Sequence, residues 1–298
     1  MPPKCSIILP TWNGERELAR LLPALERQEL AGGYELLAVD SDSSDGTREL
    51  LGRAGARVTR IERAGFRHGA TRNLCAADAR GELLVFLSQD VLPADERFLA
   101  ELAAAFDDPR VAGATARILP HPDDDPLTAR TVLDRPEASA EPFARDLDAT
   151  GGRWELAPEE RALWLRFNNV ASAIRTAVFR TIPFPDVDFG EDLAWAARAL
   201  TAGHRIRFAP RAVAFHAHAY TPAQAFRRYR VDAAFHREVH GCRVRPSAWS
   251  VVRGILHEVG RDWRYLRESG AKGKVRHMLR SPGLRGAQVI GQYIGSRG

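Results

Sequence analysis

Short, nearly continuous apolar runs separated by stretches of helical period constrain this chain more than any other feature. Cys5-Ser6-Ile7-Ile8-Leu9, Tyr34 to Val39, Val58 to Ile61 and Leu83 to Leu87 each have the length and side-chain type of a strand. Between them, Glu15 to Leu30 puts Leu18, Leu21, Leu22 and Leu25 on one helical face, a second helix begins near Arg48, and Thr71 to Ala79 reads as a third. Strands without polar alternation must be covered on both faces, so the pattern predicts a parallel sheet between helical layers, an α/β fold. With 298 residues and 45% of them hydrophobic, the chain can bury such a core, which excludes disordered and fibrous classes.

In sheets of this kind ligands gather beyond the carboxyl ends of the strands. Polar clusters sit there in this sequence. Pro10 stops the first strand and Thr11-Trp12-Asn13 and Glu15 follow; Asp40-Ser41-Asp42-Ser43-Ser44-Asp45-Gly46-Thr47 follows the second; Ser88-Gln89-Asp90 follows the fourth. Any loop is polar, but three successive clusters at one sheet edge point to a composite site. From about Leu119 to Glu160, Asp123-Asp124-Asp125, several prolines and Gly151-Gly152 interrupt all periodicity, which reads as a long excursion over the site. Regular structure resumes at Phe167-Asn168-Asn169. A helix is expected from about Asp192, with the face Leu193, Ala196, Ala197, Leu200 and a stop at Gly203, then a strand at Arg205 to Phe208 leading to Val213-Ala214-Phe215.

Asp90 is pinned between an apolar strand and Val91-Leu92-Pro93. Alone it reads as a cap; in company, a carboxylate there suits a hard divalent cation. Glu191-Asp192 follows Gly190 at a helix start, where the backbone favours anions, and reads either as an N-terminal cap or as a general base. His216, with His218 two residues on, reads as a structural histidine or a metal ligand. The turn His68-Gly69-Ala70-Thr71-Arg72-Asn73 offers helix-start amides and a guanidinium to a phosphate or base. No Gly-x-Gly-x-x-Gly follows the first strand and no Walker-type lysine loop is present, which disfavours dinucleotide redox and P-loop chemistry.

Ser6-Ile7-Ile8-Leu9-Pro10-Thr11-Trp12-Asn13, Val39-Asp40-Ser41-Asp42-Ser43-Ser44-Asp45-Gly46-Thr47, Phe86-Leu87-Ser88-Gln89-Asp90 and Gly190-Glu191-Asp192-Leu193-Ala194-Trp195, in that order, resemble the family 2 inverting glycosyltransferases of the GT-A fold. Within that family the stretches His68 to Asn73, Gln89-Asp90, Asn169 through Arg175 and His216 to Tyr220 are similar to bacterial rhamnosyltransferases. The resemblance implies a Rossmann-like, mainly parallel central sheet flanked by helices over 1–221, with 119–160 as the acceptor-side excursion and 222–298 as a helical extension. It implies transfer of a sugar, rhamnose among the options, from a nucleoside diphosphate sugar to a glycan or lipid-linked acceptor. Pro10, Thr11, Asn13, Glu15, Asp40, Ser41, Asp42, His68, Arg72, Asn73 and Gln89 would line the donor pocket. Asp90 and His216 would hold Mg2+ or Mn2+, Asp192 with Glu191 would supply the base, and Asn169, Trp195 and His218 would meet the acceptor. Two departures stand out: Ser88 replaces the first aspartate of the family's usual metal motif, and Ser41 stands where many relatives have a second aspartate, which bears on the base of the donor. A thymidine diphosphate sugar is the expectation.

Two other classes compete. A sugar-nucleotide nucleotidyltransferase needs a glycine-rich basic loop after the first strand, which Pro10-Thr11-Trp12-Asn13 is not. A silent nucleotide-sugar binding module is disfavoured by the presence of both Asp90 and Asp192.

Charge adds a division. Of the formal +5, the residues from Tyr220 onward hold 16 Lys+Arg and 5 Asp+Glu, or +11, leaving −6 for the rest. Trp249, Val252, Leu256, Val259, Trp263 and Leu266 advance by threes and fours with Arg253, Arg261, Arg264 and Arg267 interleaved. Such a helix suits an anionic membrane surface, or packs on the catalytic domain or a second subunit in an oligomer; nucleic acid is disfavoured because no binding module accompanies it. No leader pattern precedes Ser6 and no apolar run approaches the roughly eighteen residues of a membrane span. Cys5, Cys75 and Cys242 lie too far apart for a paired thiolate site. The expected location is the cytoplasm, with peripheral contact on the membrane's cytoplasmic face.

Overall fold

The computed structural model of the chain describes residues 2–146, 160, 164–187 and 189–297. In chain order its elements are β1 (Cys5–Thr11), α1 (Glu15–Glu26), β2 (Tyr34–Asp40), α2 (Thr47–Arg53), β3 (Arg57–Arg60), α3 (His68–Ala76), β4 (Leu83–Leu87), β5 (Leu92–Pro93), α4 (Phe98–Ala104), β6 (Val111–Leu119), α5 (Pro126–Leu133), β7 (Ala144–Arg145), β8 (Ala171–Arg175), α6 (Thr176–Thr181), α7 (Glu191–Thr201), β9 (Arg205–Phe215), α8 (Pro222–His240), α9 (Ala248–Glu268) and α10 (Lys274–Gly295). They fall into two compact units. The first comprises Met1–Leu119, Glu137–Trp154 and Leu165–His216; the second comprises Pro120–Pro136, Glu155–Trp164 and Ala217–Gly298.

The first unit carries one sheet, in which the described strands run β3-β2-β1-β4-β8-β6-β9-β5 with β7 paired to β9. β3, β2, β1 and β4 are parallel, as expected from the apolar runs of β1, β2 and β4. β8 departs from that expectation by lying antiparallel to both β4 and β6. β1 also continues through Pro10 to Thr11 instead of stopping there. The Thr11 carbonyl accepts from the Ser41 N–H on the β2 side, so Pro10 faces the β4 side, where pairing has already ended at Ile8 and no donor is needed. Helix α1 buries Leu18, Leu21, Leu22 and Leu25 as expected. It ends at Glu26, short of the expected Leu30, and the Gln28 side chain then ties down the exit by donating to the Asp95 carbonyl and accepting from the Leu99 N–H.

Two elements interrupt the expected excursion. β6 extends to Leu119, and α5 forms behind Asp125, whose side chain accepts from the Leu127 N–H with Pro126 in the first turn. Residues 147–159 of that excursion lie outside the described residues. β9 is one strand from Arg205 to Phe215, with a register shift against β6 between Ala116 and Arg117, where two pieces were expected. Helix α7 buries Trp195, Ala196, Ala199 and Leu200, so its inward face is rotated from the Leu193 and Ala197 side, which is only partly buried. Trp195 packs on Phe167 at 4.8 Å between centroids and donates from its indole N–H to the Ile182 carbonyl. Gly113 on β6 makes room for it, since a Cβ there would stand 2.7 Å from the indole.

The second unit is helical. Helices α8 and α10 touch through backbone: a Cβ on Gly291 would lie 2.5 Å from the Phe226 carbonyl oxygen and one on Gly295 2.1 Å from that of Arg230. Asp262 on α9 is fully buried. It is 2.6 Å from Arg130 of α5 and 2.8 Å from two nitrogens of Arg285 of α10, and it accepts from the Ser281 hydroxyl. Arg130 also meets Glu258 and Asp134. The apolar series expected on α9 exists, but it points outward: Leu266 is buried, whereas Trp249, Val252, Leu256 and Trp263 are exposed. No helix among the described residues is long and apolar enough to cross a membrane.

Candidate active site

The parallel strands β1 and β2 end level, with Thr11 opposite Asp40. The loops beyond them are stitched together. Asn13 N–H donates to the Ser43 hydroxyl, Ser44 N–H to the Asn13 side chain, Gly14 N–H to the Thr47 hydroxyl, Glu15 N–H to Asp45, and Gly46 N–H to Glu15. Asn13 and Asp42 adopt left-handed φ angles of 44° and 62°, a conformation that costs free energy outside glycine and that these bonds hold in place. The side chains of Asn13 and Glu15, expected at the donor, fix these loops. Gln89 does the same for the third loop: it accepts from the Trp12 N–H and donates to the Trp12 carbonyl, which engages the amide expected at the donor.

Inside this stitched rim, Thr11, Asp40 and Ser41 are buried. One Asp40 oxygen accepts from the Ser43 N–H; its other oxygen and the Ser41 hydroxyl have no partner among the described residues. Buried polar atoms are seldom left unpaired, so these two suit a ligand that donates and accepts there. Pro10 is half-buried in β1, and Asp42 and His68 are exposed. The Arg63 guanidinium lies 4.0 Å over the exposed Trp12 ring, a stack at the same rim for which the sequence gives no signal at Arg63.

Arg72 on α3 and Glu191 at the start of α7 form a buried ion pair of 2.8 Å. Gly69 permits this approach, since a Cβ there would lie 2.8 Å from the Pro185 carbonyl oxygen and 3.2 Å from Glu191. Arg72 also donates to the His68 carbonyl, and its Nε is buried without a partner. Asn169 ties this pair to the neighbouring carboxylate. Its side chain donates to Glu191 and accepts from Ser172, while its backbone N–H donates to Asp192. Asn169, expected at the acceptor, thus holds the two carboxylates in place, and Trp195, also expected there, is fully buried. Asn73 likewise has its amide engaged at both ends by the Phe184 backbone.

Asp192 is partly buried, and its pKa is pushed up to about 7, first by burial and then by the Glu191 charge. The Leu193 and Asn169 N–H groups and Arg72 oppose the rise. Its carboxylate is suited to accept a proton near neutrality. Asp90, after β4, and His216, at the end of β9, stand 3.4 Å apart and are both partly buried. One carboxylate oxygen and one imidazole nitrogen fit a divalent cation of the Mg2+ or Mn2+ kind. His218 is exposed and belongs to the second unit. Cys5 and Cys75 are buried and pushed up to about 12, which leaves them inert thiols.

The fold is shared with solved glycosyltransferases of the GT-A fold. The mannosyltransferase PcManGT from Pyrobaculum calidifontis, in complex with GDP-Man and Mn2+, superposes with a TM-score of 0.59 at 18% identity, over 98% of this chain and 87% of that one. TarS 1–349 of S. aureus in complex with UDP-GlcNAc gives 0.57 at 17% identity, over 96% and 90%. These likenesses establish the fold. Residues 6–158 match the model of the family described as Glycosyl transferase family 2. The O-antigen chain rhamnosyltransferase WbaN of Salmonella anatum is 31% identical over 240 residues, 78% of this chain and 72% of WbaN; RfbN of Salmonella typhimurium is 29% identical over 238 residues, with the same shares. The chain belongs to glycosyltransferase family 2.

Proposed function

We propose that this glycosyltransferase moves a sugar with inversion from a nucleoside diphosphate sugar to a hydroxyl of a glycan or lipid-linked acceptor, with Asp192 as the base. Rhamnose is the sugar suggested by the likeness to the rhamnosyltransferases RfbN and WbaN, and a thymidine diphosphate is the donor carrier we favour. The observation that carries the reading is Asp192: a carboxylate held by two backbone N–H groups, raised to about 7, beside a buried Arg72.

The roles follow from the chemistry. Thr11, Asp40 and Ser41 take the nucleoside, the unpaired Asp40 oxygen accepting from the base and the Ser41 hydroxyl exchanging hydrogen bonds with it. Asp42 and His68 border this pocket. Arg72 favours the diphosphate as negative charge grows on it. As the acceptor oxygen attacks the anomeric carbon, its proton passes to Asp192 and the bond to the diphosphate breaks on the opposite side, which inverts the anomeric centre. Asp90 and His216 would hold a divalent cation, which when bound neutralises diphosphate oxygens. Region 1–221 is assigned the donor chemistry, 119–160 with His218 the acceptor side, and 222–298 the anchoring role.

Asp192→Asn is expected to keep donor binding, measured by calorimetry with nucleoside diphosphates and their sugars, while transfer falls at least about a hundredfold. Near-normal turnover by that variant overturns the base assignment. Chelation is expected to stop transfer and restored Mn2+ or Mg2+ to rescue it; chelator-insensitive turnover refutes the Asp90 and His216 site.

A further inference from the structure

Two sets of basic residues stand out around α9 and the start of α10 in the second unit. One set is neutralised within the unit: Arg130, Arg285, Arg261 and Arg280 meet Asp134, Glu258, Asp262 and Asp125. The other set, Arg253, Arg264, Arg267, Lys272, Lys274 and Arg276, is exposed and forms no ion pair among the described residues. This second set lies beside the outward apolar stripe of α9, where Trp249 is 67% and Leu256 68% exposed. At 100° per residue, Trp249, Val252, Arg253, Leu256, Trp263, Arg264 and Arg267 share one face, and Glu258 and Asp262 turn away from it. The Trp263 indole donates to the Met278 carbonyl, which sets the first turns of α10 alongside. There Val275 at 65% and Leu279 at 77% exposure extend the apolar surface.

An exposed apolar surface of this size, interleaved with unneutralised cations and with two tryptophans, has the chemistry of an interfacial anchor. A second copy of the chain would bring the same cations against themselves, whereas an anionic lipid surface complements them. We propose that the α9 face with the first turns of α10 docks on an anionic membrane surface, Trp249, Leu256 and Leu279 entering the headgroup boundary and Arg253, Arg264 and Lys274 contacting lipid phosphates.

The test uses the full chain with sedimented vesicles, either pure phosphatidylcholine or an equal mixture of phosphatidylcholine and phosphatidylglycerol. The chain is expected to pellet with the mixed vesicles far more than with the neutral ones, and to be released by salt. Leu256→Ser and Leu279→Ser should each weaken the partition about tenfold, and Arg253→Gln about fivefold. All three side chains are exposed, so unchanged thermal unfolding verifies that the variants fold. Equal recovery with both vesicle types, or variants that bind like the parent, overturns the proposal. So does a solution dimer that the leucine variants convert to monomer by light scattering, which would make this face an interface between copies. No donor is needed, so vesicle binding and the transfer reaction can fail independently.

Discussion

Replacing Glu191 with glutamine tests how the charge of Asp192 is set. Glu191→Gln keeps an acceptor oxygen for Arg72 and Asn169 but removes the negative charge beside the base. Asp192 stands at about 7 against an ordinary 3.8, a difference of about 4 kcal/mol at roughly 1.36 kcal/mol per unit. Burial is the larger cause and survives the substitution. The Glu191 share follows from Coulomb's law. Both carboxylates bond to Asn169, and at an effective dielectric of about 20 two unit charges roughly 5–10 Å apart interact by about 2–3 kcal/mol. Arg72, paired with Glu191 in the parent, already cancels part of this, which leaves a fall of about one unit. Because the base must be deprotonated to act, kcat/KM rises with pH through this pKa. The acid limb should therefore move from about 7 to about 6, with the variant retaining activity at acid pH where the parent loses it. The assay is release of nucleoside diphosphate across a pH series at low donor concentration. His68 touches Arg72 from the other side, so His68→Gln serves as control, expected to change KM without moving the limb. An acid limb that stays in place or moves upward in Glu191→Gln refutes the reasoning.

Other consequences concern the scaffold. Asp262→Ala leaves Arg130 and Arg285 buried without their shared carboxylate, and should cost about 3–5 kcal/mol in denaturant unfolding; a cost below about 1 kcal/mol would mean that the network is hydrated. Gly295→Ala drives a methyl into the Arg230 carbonyl and should lower stability by about 1–3 kcal/mol, with a drop in melting temperature as the readout. Asn73→Ala should cost about 1–3 kcal/mol by freeing the Phe184 backbone groups while leaving donor affinity near the parent's; a large loss of donor affinity at unchanged stability would return Asn73 to the donor pocket.

β1, β2 and β4 were legible because each centres on an apolar run, and Leu83–Leu87 matches the expected strand residue for residue. β6 and β8 were not, because Val111-Ala-Gly-Ala-Thr and Ala171-Ser-Ala-Ile are built from small side chains that carry little hydrophobic signal. They are small for a tertiary reason at Gly113, where Trp195 occupies the space a side chain would take. The same limit applies to the site. Asp40, Arg72 and Asp192 announce themselves at strand ends and helix starts. That Arg72 pairs with Glu191 is a fact about residues 119 positions apart, and no local pattern encodes it. The side chains of Asn13, Gln89 and Asn73, expected at the donor, also bond to backbone groups far off in sequence, which no local pattern encodes.

Arg130 and Glu258 are 128 residues apart in sequence, and Arg285 lies farther still. On a ribosome adding about 5–20 residues per second, α5 emerges on the order of ten seconds before its ionic partners exist. Through that interval Arg130 must remain hydrated, together with the apolar residues Leu127 and Val132 that the folded chain buries. The second unit therefore closes only after α10 has been made. A chain cut before α10 lacks Arg285 and the glycine seam against α8, which leaves Asp262 with Arg130 as its one cationic partner among the described residues.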